Sequence, residues 1–535
     1  MMDLLIRNGC IVDGSGGTPY YGDIGIGRGK ILRVGRPIPD SALREIDAAG
    51  QYVTPGFIDV HRHEDGAVFL PDFGELQVRQ GITATINGNC GLSVIPFPKR
   101  HRQEIARYLK PIIGNLPPSA EFETFSEYLT LLETRKPTIN FGMHIGNGAI
   151  RRAVKGFEPG ELTKEEYAKA HKYLEDAVNG GVFGVSLGLV YIPENLFDVP
   201  SCVAMLEPLR GLAIPLVTHI RGEGSLLVES LLEVIALAEE LKVPLHISHF
   251  KCVGQRNWGK LLRKAEETIS RARERGVKIT LDVYPWTAGS TQLVQVLPPE
   301  FLEGGLGKTT ERLRDPLLRR QCAEILKAPQ SRFENLVDLI GWENIMVSSV
   351  QTEKNSFCIG KRITEIAEER NCDPFDAAFD LLAEENCDVA MVDFIASEQD
   401  IETIMRYPES IVISDSIYPA GGTPHPRQYG TYPKLLAEYI RDKKVLPLET
   451  GIRKITGAPA EIFSIPNKGL IKEGYDADIT IFDLEKIENP ANYLNPRQFG
   501  KGFSAVIVNG VVVNEHDRFL GGNSGKILRR EKLSQ

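Results

Sequence analysis

Two histidines one residue apart, His61 and His63, close the stretch T-P-G-F-I-D-V-H-R-H over 54–63. On a β-strand, residues i and i+2 share a face roughly 6.6 Å apart along the backbone. Two imidazoles so placed converge on one point, as a metal site requires. Further along stand Cys90 in N-G-N-C-G, His219 in V-T-H-I-R, His249 in H-I-S-H-F-K and Asp415 in V-I-S-D-S. Each ends a short apolar run, and each residue type is a good ligand for Zn²⁺. Singly, each has a plain structural reading: Cys90 as a small core residue, a histidine as a hydrogen-bonded strand end, Asp415 as a cap. Their recurrence at the ends of separate strands points instead to one metal-binding mouth.

The elements that must position them alternate strand and helix. Strands are expected at Phe57–Val60, Ile82–Asn87, Ile139–His144, Val182–Ser186, Pro215–Thr218, Leu245–Ser248, Lys278–Asp282 and Ile411–Ser414. Thr163 with Glu166 makes a capping box that opens one helix. Val228, Leu231, Leu232 and Ile235 give the apolar stripe of another. Eight strands with intervening helices predict an α/β fold, a (β/α)8 TIM-like barrel whose chemistry sits at the strand C-termini. The connection from Asp282 to Ile411 is too long for a loop and should carry structure of its own. An inserted lid subdomain is expected over 286–342, and I-M-V-S-S-V from Ile345 opens a further segment. Within the lid, G-K-T at 307–309 lacks the first glycine of a phosphate loop, because Leu302 stands there.

Both ends of the chain read differently, as short strands with turns. At the start come L-L-I-R-N from Leu4 and D-I-G-I-G-R-G-K-I-L-R-V from Asp23, with Arg28, Gly29 and Lys30 as a hairpin turn. Near the end come A-D-I-T-I-F-D from Ala477 and F-S-A-V-I-V-N-G-V-V-V-N from Phe503. This texture predicts one small β-sandwich domain from 1–53 and 465–535, with the barrel occupying 54–464. The basic end, K-I-L-R-R-E-K-L over 526–533, reads as a solvated tail.

Composition narrows the function classes. The chain has 535 residues, enough for two or three units, and 42 % hydrophobic with 25 % charged residues is ordinary for a globular protein. A net charge of -9 and no basic stripe argue against a nucleic-acid partner. Eight cysteines without C-x-x-C spacing fit reduced thiols in a cytoplasmic protein. The start, M-M-D-L-L-I-R-N-G-C, does not read as a signal peptide, and no apolar stretch is long enough to span a membrane.

The sequence resembles the amidohydrolase superfamily and, within it, the N-acyl-D-amino-acid deacylases, or D-aminoacylases. The resemblance runs over nearly the whole chain. It rests further on G-V-F-G-V-S-L-G-L-V-Y, T-H-I-R-G-E-G, N-W-G, D-V-Y-P-W-T-A-G-S-T and H-P-R-Q-Y-G-T-Y-P. H-x-H marks only the superfamily, whereas N-G-N-C-G with Ser290 and H-P-R is specific to this branch. The resemblance implies a metal-dependent hydrolase barrel with Cys90, His219 and His249 holding one Zn²⁺ tightly. His61, His63 and Asp415 would surround a second, weaker position. Superfamily members often bridge their metals with a carboxylated lysine, and V-F-G-V-S at 182–186 has none.

The activity so implied is hydrolysis of a small-molecule N-acyl-D-amino acid to a carboxylate and a free D-amino acid. Asp415 would carry the proton from water to the leaving amine. By the same resemblance Lys251, Tyr284 and Ser290 bind the substrate carboxylate. Tyr191, Arg221 and Arg427 are further candidates that could equally hold loops, and His144 has no assigned role. Two departures stand out: Arg62 between the histidines, which should point to the opposite strand face, and L-P-P-E-F-L-E-G-G from Leu297, unlike the corresponding lid of well-known relatives. Competing readings are a cyclic-amide hydrolase of the hydantoinase or dihydroorotase kind, a dipeptidase on the same scaffold, and a catalytically silent assembly protein.

Overall fold

The computed structural model describes residues 2–419 and 421–531. Six short strands run parallel in the order Ser410–Val412, Ile279–Val283, Leu245–Ile247, Leu216–His219, Val185–Gly188, Ile145–Gly146. Phe57–Asp59, Ile82–Asn87 and Asn140–Met143 form a second parallel sheet. Nearly every residue in these strands is buried, on both faces, and this is why they read as apolar runs without alternation. The chain passes from the second sheet into the first through His144. At the other edge, the Asp415 N–H donates to the His61 carbonyl and the His63 N–H to the Ser416 carbonyl, both at 3.0 Å. The fourth expected strand starts three residues late, at Val185, because the Val182 N–H still bonds the Ala177 carbonyl of the preceding helix at 3.0 Å.

Helices pack around these strands. Lys164–Gly180 opens on the expected capping box: Thr163 accepts from the Glu166 N–H at 3.2 Å, and Glu166 accepts from the Thr163 N–H at 2.8 Å. In Leu227–Leu241 the expected stripe is offset. Leu231 and Ile235 are buried, but Leu232 is 52 % exposed, and the inner face runs through Leu227, Leu231, Val234 and Ala238. Successive helical residues turn by about 100°, so Leu232 falls off the face that Leu231 occupies.

Strands from both chain ends share one nine-stranded sheet. Tyr52–Pro55 pairs with Ile479–Phe482 on one side and with Met2–Ile11 on the other. Their inward residues, among them Leu4, Ile24, Val53, Ile479 and Ile507, form one apolar cluster. The Arg28–Gly29 turn has φ of 52° and 73°, the left-handed pair that matches hairpin twist. The basic end is not a free tail as far as residue 531. The Phe141 N–H donates to the Lys526 carbonyl, Leu528 is buried, and the Arg530 N–H donates to the Gly181 carbonyl. Lys532 and Leu533 lie outside the described residues.

Between the last two parallel strands, Ala288–Gln292 pairs antiparallel with Ala390–Phe394, which also pairs with Ile345–Ser349. The strand opening at Ile345 therefore shares a sheet with the start of the inserted region. Among the described residues, no helix is long and apolar enough to cross a membrane.

Candidate active site

Six donors come together where the parallel strands end. Ligand atoms of His61, His63 and Cys90 lie within 4.8 Å of one another, as do those of Cys90, His219 and His249, with Cys90 common to both sets. Cys90 Sγ stands 3.3 Å from His61 Nε2 and 3.5 Å from His249 Nε2. Asp415 Oδ1 completes the ring at 3.4 Å from His61 Nε2 and 3.5 Å from His63 Nε2. Cys90, His249 and Asp415 all have positive φ, at 54°, 34° and 52°. Such backbone is uncommon outside glycine and persists where the surroundings enforce it. A Cβ on Gly188 would stand 2.0 Å from the Cys90 carbonyl, so glycine there lets the fourth strand reach the Cys90 loop.

Burial opposes charge on Cys90, yet His61 and His249 hold its thiol well below the ordinary range, which favours the thiolate. Burial also acts against an ionised Asp415, but Arg427, with Nη1 2.8 Å from Oδ2, and His61 keep its carboxyl well below the usual range. His63 Nδ1 and His219 Nδ1 are buried without a hydrogen-bond partner among the described residues. A sulfur, four imidazoles and a carboxylate with ligand atoms this close fit a borderline-soft divalent cation such as zinc. Five of the six donors, all but His61, line a cavity of about 430 Å³ whose wall also includes Tyr191, Lys251, Tyr284 and Ser290.

A sequence profile described as "Amidohydrolase family" matches residues 365–514. A D-aminoacylase of Alcaligenes xylosoxydans xylosoxydans is 29 % identical over 528 residues, covering 99 % of this chain and 98 % of its own. The crystal structure of an N-acyl-D-glutamate deacylase from Bordetella bronchiseptica, complexed with zinc and a phosphonate inhibitor, superposes with a TM-score of 0.82. Its identity is 27 %, over 99 % of each chain. The chain is similar to amidohydrolases over nearly its whole length. A D-hydantoinase, at TM-score 0.57 and 17 % identity over the full length of both chains, is similar in fold alone.

The remaining expected residues divide into two groups. Lys251 is buried rather than solvated, with Nζ 2.5 Å from Glu223 Oε1 and 2.9 Å from His249 Nδ1. Tyr284 lines the cavity beneath two cations, Lys251 Nζ at 5.8 Å and the Arg427 guanidinium at 5.1 Å from its ring centre. The Tyr191 hydroxyl meets Thr291 Oγ1 at 3.2 Å, and the Ser290 hydroxyl donates to the Met391 carbonyl at 2.7 Å. Arg427 stands behind Asp415 and is absent from the cavity wall. Arg221 holds a loop: it pairs with Glu233 and donates to the Asn195 and Phe197 carbonyls. Arg62 faces away from the donors, its guanidinium donating to Asp59, Ser414 and Tyr418. His144 is fully buried, and burial together with His61 pushes its imidazole down to about 3, so it is neutral.

Sequence reasoning missed the carboxylates that aim the histidines. Asp282 Oδ2 lies 3.3 Å from His61 Nδ1 and 2.9 Å from His246 Nε2, and Oδ1 accepts the His249 backbone N–H. Glu223 Oε1 lies 3.0 Å from His249 Nδ1. Engaging Nδ1 fixes the tautomer that leaves Nε2 free for a metal. Both acids carried a signal. Asp282 precedes Tyr284 by two positions on a strand face, and Glu223 follows His219 by four.

Proposed function

We propose that this chain hydrolyses the amide bond of N-acyl-D-amino acids, releasing a carboxylate and a free D-amino acid. The observation that carries it is the joining of a Cys90-bridged donor set to a buried cation, Lys251, on one cavity wall. Cys90, His219 and His249 would hold a zinc ion tightly, and His61, His63 and Asp415 would offer a second, weaker position. Zinc, when bound there, supplies Lewis acidity, which polarises an amide carbonyl and lowers the pKa of water toward about 7.

The chain's own groups do the rest. Asp415 Oδ1 takes the proton of the attacking water and returns it to the amide nitrogen, without which the amine leaves poorly. Arg427 fixes the other Asp415 oxygen, so only Oδ1 is free to move a proton. Lys251 Nζ and the Tyr284 hydroxyl receive the substrate carboxylate, and Ser290 and Tyr191 border it. A dipeptide with a D-residue at its carboxyl end presents the same amide and carboxylate. No observation favours a cyclic amide, and the missing strand-four lysine argues against one.

We also infer that the two parallel sheets belong to one closed eight-stranded barrel over 54–464, supported by the His61–Asp415 and His63–Ser416 backbone bonds at the open edge. The 1–53 and 465–535 segments would make a β-sandwich domain around their shared apolar cluster. The lid would begin at 286, run through the helices before 342 and continue to the Ala390–Phe394 strand. Eight cysteines unpaired in disulfides support a cytoplasmic setting.

The test is a panel of N-acetyl and N-formyl amino acids, both enantiomers, with zinc-loaded protein and amine release as readout. Release from D- but not L-compounds is expected. Release from neither, or from hydantoins alone, would overturn the reading.

A further inference from the structure

A second cavity of about 560 Å³ opens beside the first, and Tyr191, His219, Glu223, Thr291, Asp393 and Ile395 line both. Val190, Val253, Leu336 and Met391 make much of its wall apolar. Its charges are unbalanced. Arg221, the only cation lining it among the described residues, is engaged by Glu233 and by backbone carbonyls. Glu334 accepts the backbone N–H groups of Gly224 and Ser225 at 2.8 and 3.1 Å, and Glu223 is held by Lys251 and His249.

Asp393 differs from these two acids. It sits on the Ala390–Phe394 strand, is only 6 % exposed, and its Oδ1 has no hydrogen-bond partner among the described residues. A Cβ on Gly289, its register partner, would stand 2.9 Å from that oxygen, so the glycine leaves the carboxylate room. A buried carboxylate oxygen without a partner is unfavourable by more than a neutral group would be. A ligand cation beside that oxygen would remove this penalty.

We propose that Asp393 receives an alkylammonium group of the substrate, so that preferred substrates carry a positive charge besides their carboxylate. The inference rests on the deacylase reading above. An acidic side chain, such as the one named for the Bordetella bronchiseptica relative, would meet Asp393, Glu223 and Glu334 with no free cation opposite. The ammonium can come from two sources: the side chain of the D-amino acid, or the free α-amino group of an aminoacyl group.

Two matched pairs distinguish them on the zinc-loaded protein. N-acetyl-D-ornithine is compared with N-acetyl-D-norleucine, and L-alanyl-D-norleucine with N-propionyl-D-norleucine; each pair differs only in ammonium against methyl or hydrogen. In one pair the charged compound should show kcat/KM roughly tenfold or more above its neutral match, as a charge-assisted contact predicts. That pair names the source. Asp393→Asn should bring the ratio close to one, and Asp393→Glu should keep it. Calorimetry with the corresponding products, D-ornithine against D-norleucine or L-alanine against propionate, should show the same preference without turnover. Hydrolysis of the neutral compounds with neither charged compound favoured, or a preference that survives Asp393→Asn, would overturn the proposal and leave the deacylase standing. Failure to cleave any of the four would remove both. If Asp393→Asn does not fold, the wild-type ratios and the calorimetry still decide.

Discussion

On one side of the cavity the functional side chains stand at the ends of parallel strands buried on both faces. On the other they stand on the antiparallel sheet of Ala288–Gln292, Ile345–Ser349 and Ala390–Phe394. The strand-end side is over-determined. His61 and His249 are each aimed by a carboxylate, Asp415 is clamped by Arg427, and three donors hold positive φ. The lid side is held by single side-chain contacts, Ser290 to the Met391 carbonyl and Thr291 to the Tyr191 hydroxyl, and Asp393 Oδ1 has none among the described residues. The difference teaches where each task sits. Chemistry that tolerates little displacement is placed on the rigid strand ends, and recognition that can differ between substrates is placed on the inserted sheet.

The sharpest way to break this comparison is at the proton carrier. Asp415→Asn keeps the shape and one oxygen but cannot shuttle a proton. It should lower kcat by roughly 10²–10⁴-fold while zinc measured by elemental analysis stays bound. Unchanged turnover would take Asp415 out of the mechanism. Cys90→Ala removes the donor common to both sets. It should lose tightly held zinc, and activity with it, while circular dichroism reports a folded chain. Full metal content in that variant would make Cys90 a core thiol after all. Next comes Glu223→Gln, which leaves His249 in place but weakens what aims it. Zinc affinity should fall by roughly 10–100-fold, measured by competition with a chelator, and an unaltered affinity would assign Glu223 to Lys251 alone.

How far the sequence reveals this site follows from the same division. The donors are legible because each ends an apolar run, and a strand end has a fixed meaning in a parallel sheet. Asp282 and Glu223 lie in motifs that are conspicuous for other reasons, and their partners sit 221 and 26 residues away, respectively. Only the closing of the strands brings them together. The Ala288–Gln292 strand, A-G-S-T-Q, lacks the β-branched and aromatic pattern that signals a strand. It exists because Ala390–Phe394, far along the chain, pairs with it. The Leu227–Leu241 helix shows the reverse case: its existence is plain from periodicity, but whether Leu231 or Leu232 faces inward depends on neighbours that periodicity does not contain.

Lys251 and Ser290 compare the two sides within one task, holding the substrate carboxylate. Lys251→Ala removes a buried cation, and a charge-assisted contact is worth roughly 1.5–3 kcal/mol. KM for an N-acyl-D-amino acid should rise accordingly, with far less effect on an analogue bearing a carboxamide. A silent Lys251→Ala would leave the hydrolase intact and move the carboxylate site, with Arg427 the next cation to test. Ser290→Ala should do less. The Ser290 hydroxyl already donates to the Met391 carbonyl, so meeting a carboxylate requires it to exchange one hydrogen bond for another. The net gain is then at or below the roughly 0.5–1.5 kcal/mol of an ordinary hydrogen bond, about tenfold in KM at most. Because the bond to Met391 ties the first strand of the lid sheet to the second, the same substitution should also loosen the lid, visible as faster amide hydrogen exchange over 288–292 and 390–394. If Ser290→Ala raised KM as much as Lys251→Ala and left exchange unchanged, the hydroxyl would be a carboxylate ligand in its own right, and the division between a rigid catalytic side and a looser recognition side would fail at this residue.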